Sequence, residues 1–231
     1  MAKTRTTTSH YEVQKVRRAD WLQYWKDHQR SIVTADSVEM FDTPRRMKRG
    51  VIVSAARIVE KKGLHLMPPA LAQLHKKGIA FKWCVIGDGP ELARIAKLCT
   101  EHGISEQVEL LGARDNTTVR EALMHADVAA LPCIVASDGE RDGIPIFFVE
   151  AMALGVPVVT TPISGIPELI RDQDTGFLHA TSDVQALADK LQAVLGDPQL
   201  ARSVGERGRD EVHRTLDVNE SATQLIAHIE R

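Results

Sequence analysis

Cysteine is scarce in this 231-residue chain, and the three present, Cys84, Cys99 and Cys133, form no CxxC pair. That sets aside a disulfide framework and a zinc knuckle and favours a reducing compartment. The nine histidines show neither HExxH nor HxxxH spacing, so the usual helical zinc signature is absent as well. No charged-then-apolar leader opens the sequence, and no apolar run approaches the roughly 18 residues that span a bilayer. The expected location is cytoplasmic, at most peripheral at the inner membrane face. There is no internal repeat, no P-loop GxxxxGK[ST] and no GxGxxG, which weighs against a P-loop nucleotidase and a dinucleotide dehydrogenase. No DxD pair falls on a strand end, so no metal site is expected. Positive charge is scarce where the chain is longest: residues 1–50 hold 11 Lys+Arg against 6 Asp+Glu, leaving 18 against 25 for the rest. An acidic main body gives no support to nucleic acid as a partner.

What is present is ordinary for a globular chain, 43% hydrophobic and 26% charged. Residues 1–50 read as an N-terminal extension and linker. They offer a candidate helix over Tyr11 to Arg30, with Val13, Val16, Trp21, Tyr24 and Trp25 interleaved with basic residues, then a linker from Asp42 to Gly50 containing Thr43-Pro44. From Val51 onward strand and helix patterns alternate. Strands are predicted at Val51–Ala55, Phe81–Ile86, Val108–Leu111, Asp127–Leu131, Val156–Thr160 and Gly176–Leu178. Helices are predicted at Leu64–Lys77, broken or kinked by Pro68 and Pro69, and at Pro90–His102, Asn116–His125, from Pro145, and Pro167–Arg171. Two or three more close the chain after Asp183. This order implies an α/β fold, a doubly wound parallel sheet of Rossmann-like kind, over residues 51–231.

Ligands of such sheets bind at the carboxyl ends of the strands. Those ends carry Ala56-Arg57, Gly87-Asp-Gly-Pro90, Gly112-Ala-Arg114, Pro132-Cys133 and Thr161 to Glu168. Glycine-rich turns running into helices expose backbone N–H groups to an anion. Arg57 and Lys62, five apart, add mobile positive charge just past the first strand. The stretch from Asp142 to Glu168 reads as loop, helix, strand, loop, helix. Its first helix, starting at Pro145, is apolar nearly all round and should be buried, yet it carries Glu150. A buried carboxylate without partners is costly, so either protein donors or a polar ligand must satisfy it. Glu150 lies about 7 to 8 Å along the helix axis from Pro145, which suits one elongated polar ligand touched at Asp142 and again at Glu150.

Four elements in order are familiar: Arg57 to Gly63 as Arg-x4-Lys-Gly, Gly87-Asp-Gly-Pro-Glu91, Asp142-x7-Glu150 and Ser164-Gly-Ile-Pro-Glu168. With them the stretch from Val51 to Leu178 resembles the C-terminal, donor-binding half of a GT-B glycosyltransferase of the large retaining family (group 1, family 4). The resemblance implies a nucleotide-sugar donor, UDP- or GDP-linked, with no separate cofactor or metal, and transfer of a hexose with retention to a glycan or lipid-linked acceptor in cell-surface polysaccharide synthesis. It implies that Arg57 and Lys62 contact the diphosphate and that Asp142, with the backbone of Gly143 and Ile144, faces the sugar. Glu150 would accept the ribose hydroxyls. Gly112 and Arg114 would lie by the base, Gly165 and Glu168 by the phosphates, and the Gly87 and Gly89 turn in the donor site.

Asp142 stands where the family often has Glu. The family's N-terminal, acceptor-binding half has no counterpart in residues 1–50, so a partner polypeptide or self-association is expected to supply it. Other readings stay open at this stage. Asp142 can be a plain helix-start carboxylate, Glu150 a structural hydrogen bonder, Glu168 a cap and Cys133 a small packing residue. The whole chain can be a non-catalytic nucleotide-sugar-binding module. A sugar-phosphate epimerase of GT-B architecture would need two such domains and an acid/base constellation, neither of which is apparent.

Overall fold

The computed structural model describes residues 50–216. The helix expected over Tyr11 to Arg30 and the linker before Gly50 lie outside the described residues. Gly50 itself is buried, and its N–H and that of Val51 both donate to the Asp127 carboxylate, at 2.7 and 2.8 Å.

The sheet contains β1 (Val51–Ala55), β2 (Lys82–Ile86), β3 (Val108–Gly112), β4 (Val128–Ala130), β5 (Val158–Thr160) and β6 (Phe177–Leu178), in the order β3-β2-β1-β4-β5-β6. Every pairing is parallel, as the alternating pattern requires. The central strands are near-continuous apolar runs because helices cover both faces; Ile52, Val53, Val128, Ala129, Val158 and Val159 are all fully buried. Strand order reverses between β1 and β4. Because every pairing is parallel, all carboxyl ends lie along one edge of the sheet, and the reversal of order places a crevice at that switch point.

The helices are α1 (Met67–Lys76), α2 (Leu92–Glu101), α3 (Asn116–Met124), α4 (Ile146–Ala153), α5 (Ile166–Leu169), α6 (Val184–Gly196) and α7 (Pro198–Leu216). α1 packs against α6 and α4 against α7. Met67, Ala70, Leu71 and Leu74 give α1 a buried face at helical spacing. The break expected at Pro68 and Pro69 falls at the start of α1. A 3-10 turn over Leu64–Leu66 precedes α1, and the prolines occupy its first turn, where no intrahelical N–H is required. In α7 the two glycines serve contact: a Cβ on Gly205 would overlap the Gly155 carbonyl oxygen, and one on Gly208 would crowd that of Thr175.

The apolar helix at Pro145 is one residue shorter at its start than expected. Pro145 is the cap, its carbonyl accepting from the Phe148 N–H at 2.9 Å. Nor is that helix buried all round. Phe147, Phe148, Ala151 and Met152 are buried, whereas Ile146 is 68% exposed. Composition alone does not say which face of a helix meets a neighbour.

Candidate functional site

Three buried hydroxyls shape the switch point. Ser54 donates to the Ala130 carbonyl at 2.6 Å and accepts from Trp83 Nε1 at 2.9 Å. Thr160 donates to the Leu131 carbonyl at 2.8 Å, and Thr161 to that of Cys133. Backbone carbonyls just past β4 are thereby satisfied, and the chain from Leu131 to Cys133 is fixed against β1 and β5.

The loop after β1 seats directly on that segment. At Gly63 the backbone is left-handed, φ 66°, and a Cβ would overlap the Pro132 carbonyl oxygen, so only glycine admits this approach. Beside it the Ile134 N–H donates to the Lys61 carbonyl at 3.0 Å. Ser137 Oγ donates to Glu60 at 2.7 Å, and Lys61 Nζ lies 3.1 Å from Glu140 and 3.9 Å from Asp142. The result brings together two residues singled out from the sequence. Lys62 Nζ is 2.8 Å from Asp142 Oδ2, and each side chain is only 14% exposed.

Arg57, at the start of the same loop, is exposed and meets no carboxylate among the described residues. It is the one unneutralised cation of that loop. Lys61, by contrast, has its ammonium stabilised by the hydrogen bond to Glu140, which raises its pKa. Cys133 lies beneath Asp142, fully buried, with its thiol donating toward Oδ2 at 4.0 Å. Burial, reinforced by the Asp142 charge, pushes that thiol up to about 12. A group so protonated at neutral pH is no thiolate nucleophile, in line with its reading as a packing residue.

Gly87 and Gly89 are drawn in for a different reason from the one expected. A Cβ on Gly87 would overlap the Ala56 carbonyl oxygen, and one on Gly89 that of Ile58. Their amides are already used: Gly87 N–H donates to the Gly112 carbonyl at 2.8 Å and Gly89 N–H to Asp88 Oδ1 at 2.8 Å. Glu91 N–H donates to Ile58 at 3.1 Å. This turn therefore packs against the Arg57 loop, and the amides of Gly87 and Gly89 are spent on protein acceptors. Gly112, φ 67°, has open space at its Cβ position, and Arg114 beyond it is exposed.

Free amides appear instead at the start of α4. Among the described residues no protein acceptor meets the N–H groups of Gly143, Ile144 or Ile146. Across from them Ser164 holds a left-handed backbone, φ 50°, and Gly165 packs at ordinary contact distance, a Cβ there lying 3.4 Å from Ile144 Cγ1 and 3.6 Å from Glu168 Oε1. Glu168 is exposed and its side chain caps nothing. One turn into α4, Glu150 is half-buried, its carboxylate has no hydrogen-bonding or ionic partner among the described residues, and desolvation raises its pKa. Of the two ways to satisfy it foreseen from the sequence, protein donors are therefore absent. No direct contact joins Glu150 to the Lys62–Asp142 pair.

Sequence reasoning passed over Lys61, Glu60 and Glu140. The Lys61-Lys62 doublet was a visible signal, but nothing local marks Glu140, 79 positions away from Lys61, as its partner. Among the described residues no three His, Cys, Asp or Glu side chains gather as a metal site would need, and no described helix is long and apolar enough to cross a membrane.

Residues 36–211 match the sequence model of the family described as Glycosyl transferases group 1. The putative colanic acid biosynthesis glycosyltransferase WcaL of Escherichia coli (strain K12) is 40% identical over 180 residues, 76% of this chain and 44% of that protein. The GDP-mannose-dependent alpha-(1-6)-phosphatidylinositol monomannoside mannosyltransferase of Mycolicibacterium smegmatis is 31% identical over 170 residues, 73% of this chain and 44% of that one. The chain thus spans under half the length of these relatives. Among solved structures, a Staphylococcus aureus TarM mutant in complex with UDP superposes with a TM-score of 0.70 at 20% identity, covering 85% of this chain and 42% of that one. HepE of Anabaena in complex with UDP and glucose does so with a TM-score of 0.67 at 21% identity, covering 87% and 52%.

Proposed function

The chain belongs to the glycosyl transferases of group 1, and from that premise we propose that residues 51–231 hold the nucleoside diphosphate sugar of a retaining GT-B hexosyltransferase. The product is a polysaccharide of the cell surface and the acceptor a glycan or lipid-linked glycan. The observation that carries the reading is the arrangement along one edge of the sheet: the free Arg57 cation, the Lys62–Asp142 pair, the unbound amides of Gly143 and Ile144, and Glu150 without a protein partner. An elongated ligand with an anionic middle and hydroxyls at both ends supplies what each of these lacks.

In this reading Arg57 and Lys62 take the diphosphate, so the charge that builds on the departing phosphate oxygen is neutralised by the protein. Asp142 and the amides at the start of α4 orient the hexose. Glu150 accepts the ribose hydroxyls, the Gly112 to Arg114 turn borders the base, and Gly165 and Glu168 lie at the phosphate end. No separate cofactor enters. The acceptor is held by a second domain, a partner polypeptide or a second copy of the chain, because holding it against the anomeric carbon contributes about 7 to 11 kcal/mol to the barrier reduction and Arg57, Gly143 and Glu168 stand open to solvent.

Calorimetric titration with UDP, GDP and their hexose conjugates tests the donor site. Saturable binding of one nucleotide series is expected, and silence toward all of them at millimolar concentration refutes the reading. Incubation with labelled donor and candidate acceptors, with and without an acceptor-binding partner, tests transfer. Transfer only with the partner is the expected result, and efficient transfer by this chain alone would refute the need for one.

A further inference from the structure

Resting on that reading, we propose that Asp142 is a specificity-determining residue that acts as an internal competitor of the diphosphate for Lys62, so that the site favours a sugar-bearing donor over the bare nucleotide. The cation assigned to the diphosphate already has a counter-ion within the protein. Lys62 Nζ sits 2.8 Å from Asp142 Oδ2 with both side chains largely withdrawn from water. The neighbouring Lys61 is likewise held, at 3.1 Å from Glu140. Arg57 alone in this loop is free to meet an incoming anion. A diphosphate that draws Lys62 away leaves the Asp142 carboxylate partly buried, next to the Cys133 thiol and without its counter-ion. An uncompensated charge in that setting is unfavourable.

A sugar changes the balance. Its hydroxyls donate to the carboxylate that Lys62 has left, so the full donor replaces both halves of the broken pair. The bare nucleoside diphosphate replaces only one. After transfer the product lacks the sugar, and Asp142 recaptures Lys62 as the nucleotide leaves. The competitor is part of the protein and is held in reach by the Gly63–Pro132 approach and the Ile134–Lys61 hydrogen bond. This makes a prediction opposite to that for a simple contact residue: removing the charge of Asp142 strengthens binding of the bare nucleotide.

The test is titration of the chain and of Asp142→Asn, Lys62→Gln and the double variant with UDP and UDP-glucose, and with GDP and GDP-mannose, after circular dichroism establishes that each is folded. Asp142→Ser replaces Asp142→Asn if the latter is unfolded. Asp142→Asn is expected to bind the bare nucleoside diphosphate about fivefold more tightly, which corresponds to about 1 kcal/mol. The preference for the sugar conjugate should fall by at least as much. In the Lys62→Gln background the same substitution should give no gain, because the coupling runs through Lys62. Equal or weaker nucleotide binding by Asp142→Asn, or a gain that persists without Lys62, overturns the exchange and leaves the donor-site reading standing. Absence of nucleotide binding by the unsubstituted chain overturns that reading, and the exchange with it.

Discussion

Lys62 and Asp142, 80 positions apart in the chain, form a 2.8 Å ion pair across the crevice where the strand order reverses. Two residues that look like separate ligand contacts are each other's counter-ions. Arg57 is left as the cation that first meets an anionic ligand.

Arg57→Ala is therefore expected to weaken nucleoside diphosphate binding, and the loss should shrink as salt rises. Arg57 is exposed, and exposed charges are screened beyond about 8 Å at physiological ionic strength. Lys62→Ala should also weaken binding, because it removes a cation and leaves the Asp142 carboxylate unpaired beside the diphosphate. Titrations at low and high salt check both. Unchanged binding by both variants contradicts the charge assignment.

Glu150→Gln should stabilise the ligand-free protein at neutral pH and weaken binding of the ribonucleotide. Desolvation raises the pKa of Glu150, so the folded state favours its protonated form. Its contribution to stability is fully present below the unfolded carboxyl pKa of about 4.3 and is lost as pH rises through the folded value. The amide carries no charge to desolvate, so the gain from Glu150→Gln should appear at pH 7 and vanish near pH 4. Urea midpoints at the two pH values read this directly. In binding, the affinity lost should be larger for the ribonucleotide than for the 2'-deoxy or 3'-deoxy analogue lacking the bonded hydroxyl.

Glycine substitutions separate backbone conformation from close approach. Gly112→Ala, at φ 67° with open space around it, should cost about 1 to 2 kcal/mol for the left-handed conformation alone. Gly63→Ala has nearly the same φ and must also displace the Pro132 carbonyl, so its cost should be clearly greater. Similar urea midpoints for the two variants would show that the loops separate without cost.

Acid should destabilise the fold in two stages. His179 is 3% exposed, its Nδ1 is bonded to the Ala180 carbonyl and its buried Nε2 has no partner among the described residues. Burial lowers its pKa. A depressed pKa gives stability that is complete above the unfolded value of about 6.5 and is lost as pH falls toward the folded one. His179→Leu should be near neutral at pH 7.5 and more stable than the parent at pH 5.5. Glu211 governs the lower stage. Its carboxylate is 7% exposed and bonded to Arg171 at 3.1 and 3.2 Å and to Arg214 at 2.6 Å. Those bonds, Arg171's first, hold its pKa down against the opposing effect of burial, so this stability is present above about pH 4.3 and lost below it. Glu211→Gln should flatten that part of the pH profile and lower stability at pH 7.

What the sequence determined by itself is local or periodic. The β-branched runs of β1 and β5, the buried spacing of α1, the Asp115 and Asp183 caps and the left-handed glycines ending helices are legible because each depends on neighbours within a few residues. Parallel pairing followed from the alternation of these elements, and the candidate residues followed from where strands end. Tertiary structure alone decided what those residues do to one another. Gly87 and Gly89 were legible as positions needing glycine, but that the need comes from the Ala56 and Ile58 carbonyls depends on a loop some 30 residues earlier. Ile146 was legible as apolar, yet its exposure depends on which face of α4 finds the sheet and α7. The pairing of Lys62 with Asp142 depends on Gly63 settling on Pro132, a contact between segments separated by about 70 residues. Side-chain chemistry is written in the chain one residue at a time, whereas counter-ions, burial and unmet hydrogen bonds are properties of distances that exist only once the sheet has closed.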